Sequence, residues 1–313
     1  MQNHNVLSDN NLWKYIARGS ANAVYKYDGP FHPLFSHKVI RVRLVSCKLS
    51  TREVFQFMNS HRFDELHIYM LNPKIIPVPK LFINNLEHDS PDDVRLNKKE
   101  TDVLLLDDIF AYDISAYHTI HLSKYFTVFI FNKGGQKETI LEFKPKWLYT
   151  PPASFKTCRN CVQGQLKKQK FSNCTLLLLS MPAGVQKWCN NIQIELENRG
   201  FNINVYNGLF RVILEHYNII TTLYKLQNKS CNNIHQVLQS LSSEEDATDA
   251  ICCSMSLRDV SMVINLSLNK VQILDVDPKP NSKWKKWKEQ EIKNSSLYFR
   301  KSDCSLDFCR RHG

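Results

Sequence analysis

A chain of 313 residues that is 43% hydrophobic and 23% charged, with 17 Phe, 12 Tyr and 5 Trp, holds enough apolar matter for a sizeable core, which excludes wholesale disorder. No run approaches the ~18 apolar residues of a membrane-spanning helix, and from the polar start no signal peptide is expected. The ten cysteines are therefore expected mostly as reduced thiols in cytosol or nucleus, and the net charge of +11 calls for an anionic partner such as nucleic acid, an acidic membrane surface or a polyphosphate.

Residues 1–12 are polar and are expected to fray. Trp13 to Tyr27 reads as two strands joined by the small-residue turn Gly19-Ser20-Ala21-Asn22, which is either an ordinary hairpin turn or a loop able to approach a phosphate closely. Lys38–Val45 alternates as a strand carrying Arg41 and Arg43 on one face, either solvated or offered to nucleotide phosphates. Ser50 to Leu71 has helical spacing, with Ser50 or Thr51 and Glu53 able to open it, until Pro73, Pro77 and Pro79 break the pattern. Residues 87–101 read as a polar loop. Val103–Leu106 is a short buried strand running into Asp107-Asp108, either a plain strand end or a hinge where adenine pairs.

The pair Gly134-Gly135 supplies the positive φ of a hairpin between Thr127–Phe131 and Thr139–Phe143. That hairpin delivers Glu142, Lys144 and Lys146, which alternate and so share one face, while Pro145 limits ladder pairing. Two lysines and a carboxylate directed into a cleft suit a phosphate-rich substrate; on a solvated edge they only oppose aggregation. Cys158-x2-Cys161 with Cys174 has the first half of a zinc-knuckle spacing, no evident fourth ligand, and reduced buried thiols as its other reading. Arg159, Lys167, Lys168 and Lys170 make this segment basic. Residues 176–241 are mostly helical, with one stripe through Leu209, Val212, Ile213, Ile219, Ile220, Leu223 and Leu226 read as core, and 242–249 is an acidic linker.

The stretch Ser256–Pro280 organises the rest. Val260, Met262, Ile264 and Leu266 sit two apart, as do Val271 and Ile273, around Asn269-Lys270, which reads as strand, turn and returning strand. Such a hairpin brings its ends together, so Asp259 and Asp275 are expected at one site, as in kinases that place one Asp near the attacking hydroxyl and another on Mg²⁺. Two ordinary aspartates at strand ends are the alternative. Lys283–Glu291 reads as a basic helix bearing Trp284 and Trp287, and the tail ends in Arg310-Arg311-His312.

Four pieces, R-G-S-A-N (18–22), K-V-I-R-V (38–42), E-F-K-P-K-W (142–147) and R-D-V-S-M-V-I…D-V-D-P-K-P (258–280), occur in one order together with C-R-N-C (158–161). Together they resemble the inositol-pentakisphosphate 2-kinase family in its compact fungal form, over residues from about 15 to 290. The resemblance implies an α+β, two-lobed, distantly protein-kinase-like fold with antiparallel sheets, residues 1–106 forming the nucleotide-binding lobe and 107–313 a larger, helical catalytic lobe. It implies transfer of the γ-phosphoryl of ATP, with Mg²⁺, to the 2-hydroxyl of inositol 1,3,4,5,6-pentakisphosphate. Five phosphates at about −1.5 to −2 each give that substrate a charge on the order of −8 to −10, a use for a cationic cleft.

By resemblance, Asp259 accepts the hydroxyl proton, Asp275 holds Mg²⁺, and Lys144 joins them in the catalytic set. Arg18, Gly19, Ser20, Ala21, Asn22 and Arg41 serve the nucleotide phosphates, and Asp107, Asp108 and Glu142 the nucleoside. Lys144, Lys146, Arg159, Lys167, Lys279 and Lys283 clamp the inositol phosphates, with Asn202 and Arg95 as further contacts. Lys283 departs from the Arg that relatives often carry, and Trp287 from a Tyr. Plant members place zinc on a Cys/His cluster that has no counterpart here, so Cys158, Cys161 and Cys174 are the basis for any Zn²⁺. A monomer in the nucleus or cytoplasm, needing neither membrane nor nucleic acid, is expected. The competing readings are a zinc-containing nucleic-acid-binding protein and a kinase for a lower inositol phosphate or another small alcohol.

Overall fold

The computed structural model describes residues 6–7, 9–171, 173–229, 233–302 and 304–312. The chain forms two compact units, Met1–Ala116 and Tyr117–Gly313, each built on a five-stranded antiparallel sheet. That is the mixed α+β class read from the sequence.

In the first unit, β1 (Trp13–Arg18), β2 (Asn22–Tyr27), β3 (Lys38–Arg43), β4 (Lys74–Pro77) and β5 (Asp102–Asp107) lie in the order β1-β2-β3-β5-β4. Alternation along the strands turns Ala23, Tyr25, Ile40, Val42, Val103 and Leu105 into a common core. Trp13 meets Tyr27, Phe35 and Phe82 edge-on at 5.4, 5.6 and 6.3 Å. Helix α1 (Thr51–Met58) opens with a capping box in which Ser50 and Glu53 satisfy each other's backbone N–H groups. The long helix expected through Leu71 stops at Met58. Asn59 turns its amide back onto Phe55 O at 2.8 Å, a local bond that competes with helix continuation, and His61–Tyr69 continues as 3₁₀ turns. The prolines that broke the pattern border structure of their own. Pro77 ends the edge strand β4, where a missing N–H costs little, and Pro79 stands at the N-cap of α2 (Lys80–His88).

The division falls at 116/117 rather than at 106/107, because residues 107–116 are tied back to the first sheet. Lys26 reaches Asp108 at 2.7 Å and Tyr112 O at 3.2 Å, and Lys14 reaches Asp113 at 2.7 Å.

The second unit carries β6 (His118–Ser123), β7 (Phe126–Lys133), β8 (Gln136–Phe143), β9 (Ser261–Asn265) and β10 (Lys270–Leu274), in the order β10-β9-β8-β7-β6. The β7–β8 turn needs positive φ at both central residues, and Gly134 at 60° with Gly135 at 79° supply it. The β9–β10 turn is built by Asn265, whose Oδ1 accepts from Ser267 N at 3.1 Å and Leu268 N at 3.0 Å, with Asn269 at φ 50°. The helices are α3 (Arg159–Leu166), α4 (Ala183–Asn198), α5 (Tyr206–Glu215), α6 (Tyr217–Lys229), α7 (Ile234–Ser240), α8 (Asp249–Leu257), α9 (Trp284–Ser295) and α10 (Leu306–His312). Phe126, Phe143 and Trp188 meet at 4.9–5.8 Å where α4 covers the sheet. The stripe expected between 209 and 226 is buried from Leu209 to Leu223 but is divided between α5 and α6 at His216. No helix among the described residues is long and apolar enough to cross a membrane.

Candidate active site

The β9–β10 hairpin does what its length requires: it brings the chain on either side of it to one place. Leu274 pairs with Ser261, so Asp259 and Asp275 lie just beyond the same end of the ribbon. Ser261 Oγ donates to Asp275 Oδ2 at 3.3 Å. Lys144 Nζ donates to Asp259 O at 2.9 Å and lies 3.4 Å from Asp275 Oδ2. Asp275 has φ 60°, a left-handed conformation uncommon for a residue with a Cβ, and is among the positions where local structure overrides backbone preference.

The side chain of Asp259 is held on both oxygens. Lys146 Nζ donates to Oδ1 and Lys279 Nζ to Oδ2, each at 2.6 Å. Burial alone raises this carboxyl, but the charges and hydrogen bonds of Lys146 and Lys279 overcome it and hold Asp259 well below the usual carboxylate range. Burial pulls the Lys146 ammonium down, against the opposing charge of Asp259. Glu142 is pushed up by burial and by repulsion from Asp275, against a hydrogen bond from Ser261 and the charge of Lys144.

Around Asp259 lies a cavity of about 260 Å³ whose walls include Lys124, Lys146, Arg159, Lys167, Arg258, Lys279, Lys283 and Lys286, with Asp259 the carboxylate among its lining residues. So unbalanced a lining carries a positive field that is reduced when a polyanion enters. Gln227, 0% exposed, bolts together the segments that carry Lys146 and Asp259. Its Oε1 accepts from Leu148 N at 2.9 Å, and its Nε2 donates to Pro145 O and Leu257 O, both at 3.2 Å. Those backbone groups flank Lys146 on one side and Arg258-Asp259 on the other.

The structure thus brings together Lys144, Lys146, Arg159, Lys167, Asp259, Asp275, Lys279 and Lys283, with Glu142 adjacent on β8. It leaves Asn202 apart: this residue is exposed, outside the cavity lining, in a segment that Gln193 anchors through Ile203 O and Val205 N. The remaining expected residues lie in the first unit. Arg18 is paired with Asp93 at 2.7 Å, Gly19 N donates to Asn22 O at 2.8 Å across a turn whose Ser20 is exposed and Ala21 half-buried, and Arg41 is half-buried on β3. Asp107 pairs with Lys38 and Asp108 with Lys26, while Arg95 is exposed with its guanidinium on Val94 O.

Sequence reasoning passed over several residues of this site. Tyr125 lies under two lysines, with Lys146 Nζ 4.4 Å and Lys167 Nζ 5.4 Å from the ring centroid, and its hydroxyl accepts from Lys167 at 2.9 Å. Burial raises the phenol, but the Lys167 hydrogen bond and the charges of Lys146 and Lys167 bring it down. Trp147, at φ 57°, has Arg159 at 3.8 Å and Arg258 at 4.8 Å from its ring. Lys124 and Lys286 add charge to the lining. Only the clustering of Lys around Trp284 and Trp287 hinted at the last.

Cys158, Cys161 and Cys174 do converge, and their fourth partner is Cys304: the four sulfurs lie within 4.8 Å of one another. Cys158 and Cys174 Sγ are 3.7 Å apart, close to the ~3.8 Å edge of a tetrahedron of sulfurs each about 2.3 Å from a zinc ion. Cys189, the nearest cysteine in sequence, is buried elsewhere, on α4. The chain near the C-terminus is brought to the knuckle by backbone bonds from Lys156 N and Thr157 N to Tyr298 O, at 2.7 and 3.1 Å.

Comparison with known proteins agrees with this geometry. A profile of the inositol-pentakisphosphate 2-kinase family matches residues 15–208. The chain is 25% identical to the inositol-pentakisphosphate 2-kinase of Debaryomyces hansenii, over 91% of each chain. It is 25% identical to that of Kluyveromyces lactis, over 88% of this chain and 92% of the relative. With the enzyme of Saccharomyces cerevisiae it shares 33% identity over 47% of this chain and 50% of the relative. These matches lend nothing to the nucleic-acid-binding reading. The chain belongs to the inositol-pentakisphosphate 2-kinase family.

Proposed function

We propose that this kinase transfers the γ-phosphoryl of ATP to the 2-hydroxyl of inositol 1,3,4,5,6-pentakisphosphate, giving inositol hexakisphosphate. The observation that carries the reading is Asp259, held between Lys146 and Lys279 in a cavity whose other charged lining residues are all cations. On this reading the fold is a distant relative of the two-lobed protein kinases, with Met1–Ala116 the nucleotide lobe and Tyr117–Gly313 the catalytic lobe.

The residues then act as follows. The inositol ring carries a phosphate on each carbon next to its one free hydroxyl, and Asp259 has one ammonium on each oxygen. Lys146 and Lys279 bind those neighbouring phosphates, which turns them from the carboxylate and leaves it to receive the hydroxyl proton and hold the oxygen in line. The free-enzyme pairing keeps Asp259 ionised. Arg159, Lys167 and Lys283 take the more distant phosphates, and Lys144 anchors the backbone of Asp259 beside Asp275. Arg18 to Asn22 and Arg41 serve the nucleotide phosphates, with Asp107 and Asp108 toward the nucleoside.

The half-exposed carboxylate of Asp275, with Ser261 and Glu142 close by, is an oxygen donor set of the kind Mg²⁺ takes. That ion, when bound, neutralises charge on transferring phosphates. Cys158, Cys161, Cys174 and Cys304 fit Zn²⁺ in a closed structural site, stapling the start of α3, which bears Arg159, to the C-terminal segment.

Incubation of the purified chain with Mg-ATP and inositol pentakisphosphate, followed by chromatography, tests the reading. Hexakisphosphate is the product expected. A chain that binds nucleotide yet leaves the pentakisphosphate unchanged while phosphorylating a lower inositol phosphate contradicts it.

A further inference from the structure

Glu291 lies on α9 and is 0% exposed. A carboxylate without water must have partners for both oxygens. Its Oε2 accepts from Arg159 Nε at 2.9 Å, and its Oε1 from His235 Nδ1 at 2.6 Å and Tyr298 Oη at 2.7 Å. Arg159 is itself 3% exposed, with its guanidinium carbon 3.8 Å from the Trp147 ring centroid. One nitrogen of that guanidinium, Nη2, is buried and has no hydrogen-bond partner among the described residues. Yet Arg159 lines the cation-rich cavity beside Lys146, Lys279 and Lys283.

A buried guanidinium with an unused N–H is an unfinished arrangement. Stability alone does not call for it, because apolar side chains of the same volume commonly replace a buried ion pair at no loss. An incoming phosphate oxygen, however, completes it. The guanidinium is planar, so fixing Nε on Glu291 and the face on Trp147 also fixes where the remaining N–H groups point. The same two helices are joined a second time by Gln290 Nε2, which donates to Gln163 Oε1 at 2.6 Å. α9 therefore presents Lys286 and Gln290 to the cavity, with Lys283 at its N-cap, while its buried residue Glu291 sets the orientation of an arginine on α3.

We infer that Glu291 is a positioning residue for substrate binding: with His235 and Tyr298 it holds the Arg159 guanidinium so that Nη2, its nitrogen without a partner, receives a phosphate of the inositol substrate. The inference rests on the reading of this cavity as the inositol-phosphate site.

Titration calorimetry on the full chain, with inositol pentakisphosphate and separately with ATP, tests it alongside steady-state kinetics. Glu291→Gln keeps the volume and removes the charge that fixes Arg159. Its Kd for the pentakisphosphate is expected to rise about tenfold, the size of one misaligned charge-assisted hydrogen bond, with the Kd for ATP unchanged. In an Arg159→Gln background the same change adds nothing further. Glu291→Asp, which keeps the charge but shortens its reach, shifts in the same direction. Where Glu291→Gln does not fold, Tyr298→Phe removes one hydroxyl from the network and is expected to weaken pentakisphosphate binding about threefold. Unchanged pentakisphosphate affinity in folded Glu291 variants overturns the inference, and so does an equal loss of ATP and pentakisphosphate affinity, which marks a structural role only. A wild-type chain that fails to bind the pentakisphosphate at all overturns the parent reading, and is seen before any variant is compared.

Discussion

Lys144, just past the end of β8, places its ammonium 3.4 Å from Asp275, just past the end of β10, although β9 lies between the two strands. It spans that strand because the chain on both sides leaves the sheet at the same edge, and on the way it binds the backbone oxygen of Asp259 at 2.9 Å. One lysine thus ties both aspartates of the hairpin to the end of β8, beyond which Lys146 follows.

Removing one of the two lysines on Asp259 weakens substrate binding more than it slows nucleotide binding. Lys146→Met is expected to raise KM for inositol pentakisphosphate by roughly tenfold to a hundredfold, the range for losing one charge-assisted phosphate contact, while KM for ATP stays near wild type. An unchanged pentakisphosphate KM removes Lys146 from the clamp.

The pH dependence has a defined sign. Asp259 is held below the usual carboxylate range, so its pairing stabilises the fold at pH above the unfolded value of about 3.9 and is lost as pH falls through the lower folded value. In Lys279→Met one of the stabilising cations is gone, and the folded pKa of Asp259 rises. The acid limb of kcat/KM is therefore expected at higher pH in the variant than in the wild type. A pH–rate profile checks this, and a limb that stays in place or moves to lower pH speaks against the pairing.

The four-cysteine cluster predicts a metal and a metal-dependent fold. Purified protein is expected to hold about one zinc per chain by elemental analysis, and Cys304→Ser to lose it together with several degrees of melting temperature. Full stability and the same metal content in Cys304→Ser remove this residue from the site.

Gln227 predicts a coupled loss. Gln227→Leu leaves Leu148 N, Pro145 O and Leu257 O without their partner in a buried place, at a cost of about 1–3 kcal/mol. Because those groups flank Lys146 and Asp259, kcat is expected to fall as well. Chemical denaturation with steady-state kinetics measures both, and a variant as active and stable as wild type shows that the bridge is dispensable.

What the sequence revealed and what it hid have physical causes. The β9–β10 ribbon was legible because strand alternation and a short turn are local, and the alternation of Glu142, Lys144 and Lys146 was legible for the same reason. Cys304 was not, because nothing local links it to a knuckle at 158–174; backbone bonds between 156–157 and 298 bring it there. Glu291 sits in a run so rich in Lys that it reads as one more solvated charge, yet it faces Arg159 from inside the core. Trp147 was read only as the end of a motif, and its left-handed backbone and two guanidinium neighbours depend on tertiary packing. Asn202 was carried over from resemblance alone, and the anchoring of its segment by Gln193 leaves it exposed. β4 was hidden by prolines that an edge strand tolerates.

The central claim is that Asp259 receives the proton of the attacking hydroxyl. Single-turnover formation of hexakisphosphate by Asp259→Asn, with pentakisphosphate affinity measured on the same sample, tests it most directly. Chemistry is expected to slow by about 10²–10⁴-fold with affinity equal to or tighter than wild type, since Lys146 and Lys279 no longer face a competing carboxylate. A phosphoryl-transfer rate close to wild type in Asp259→Asn contradicts the account.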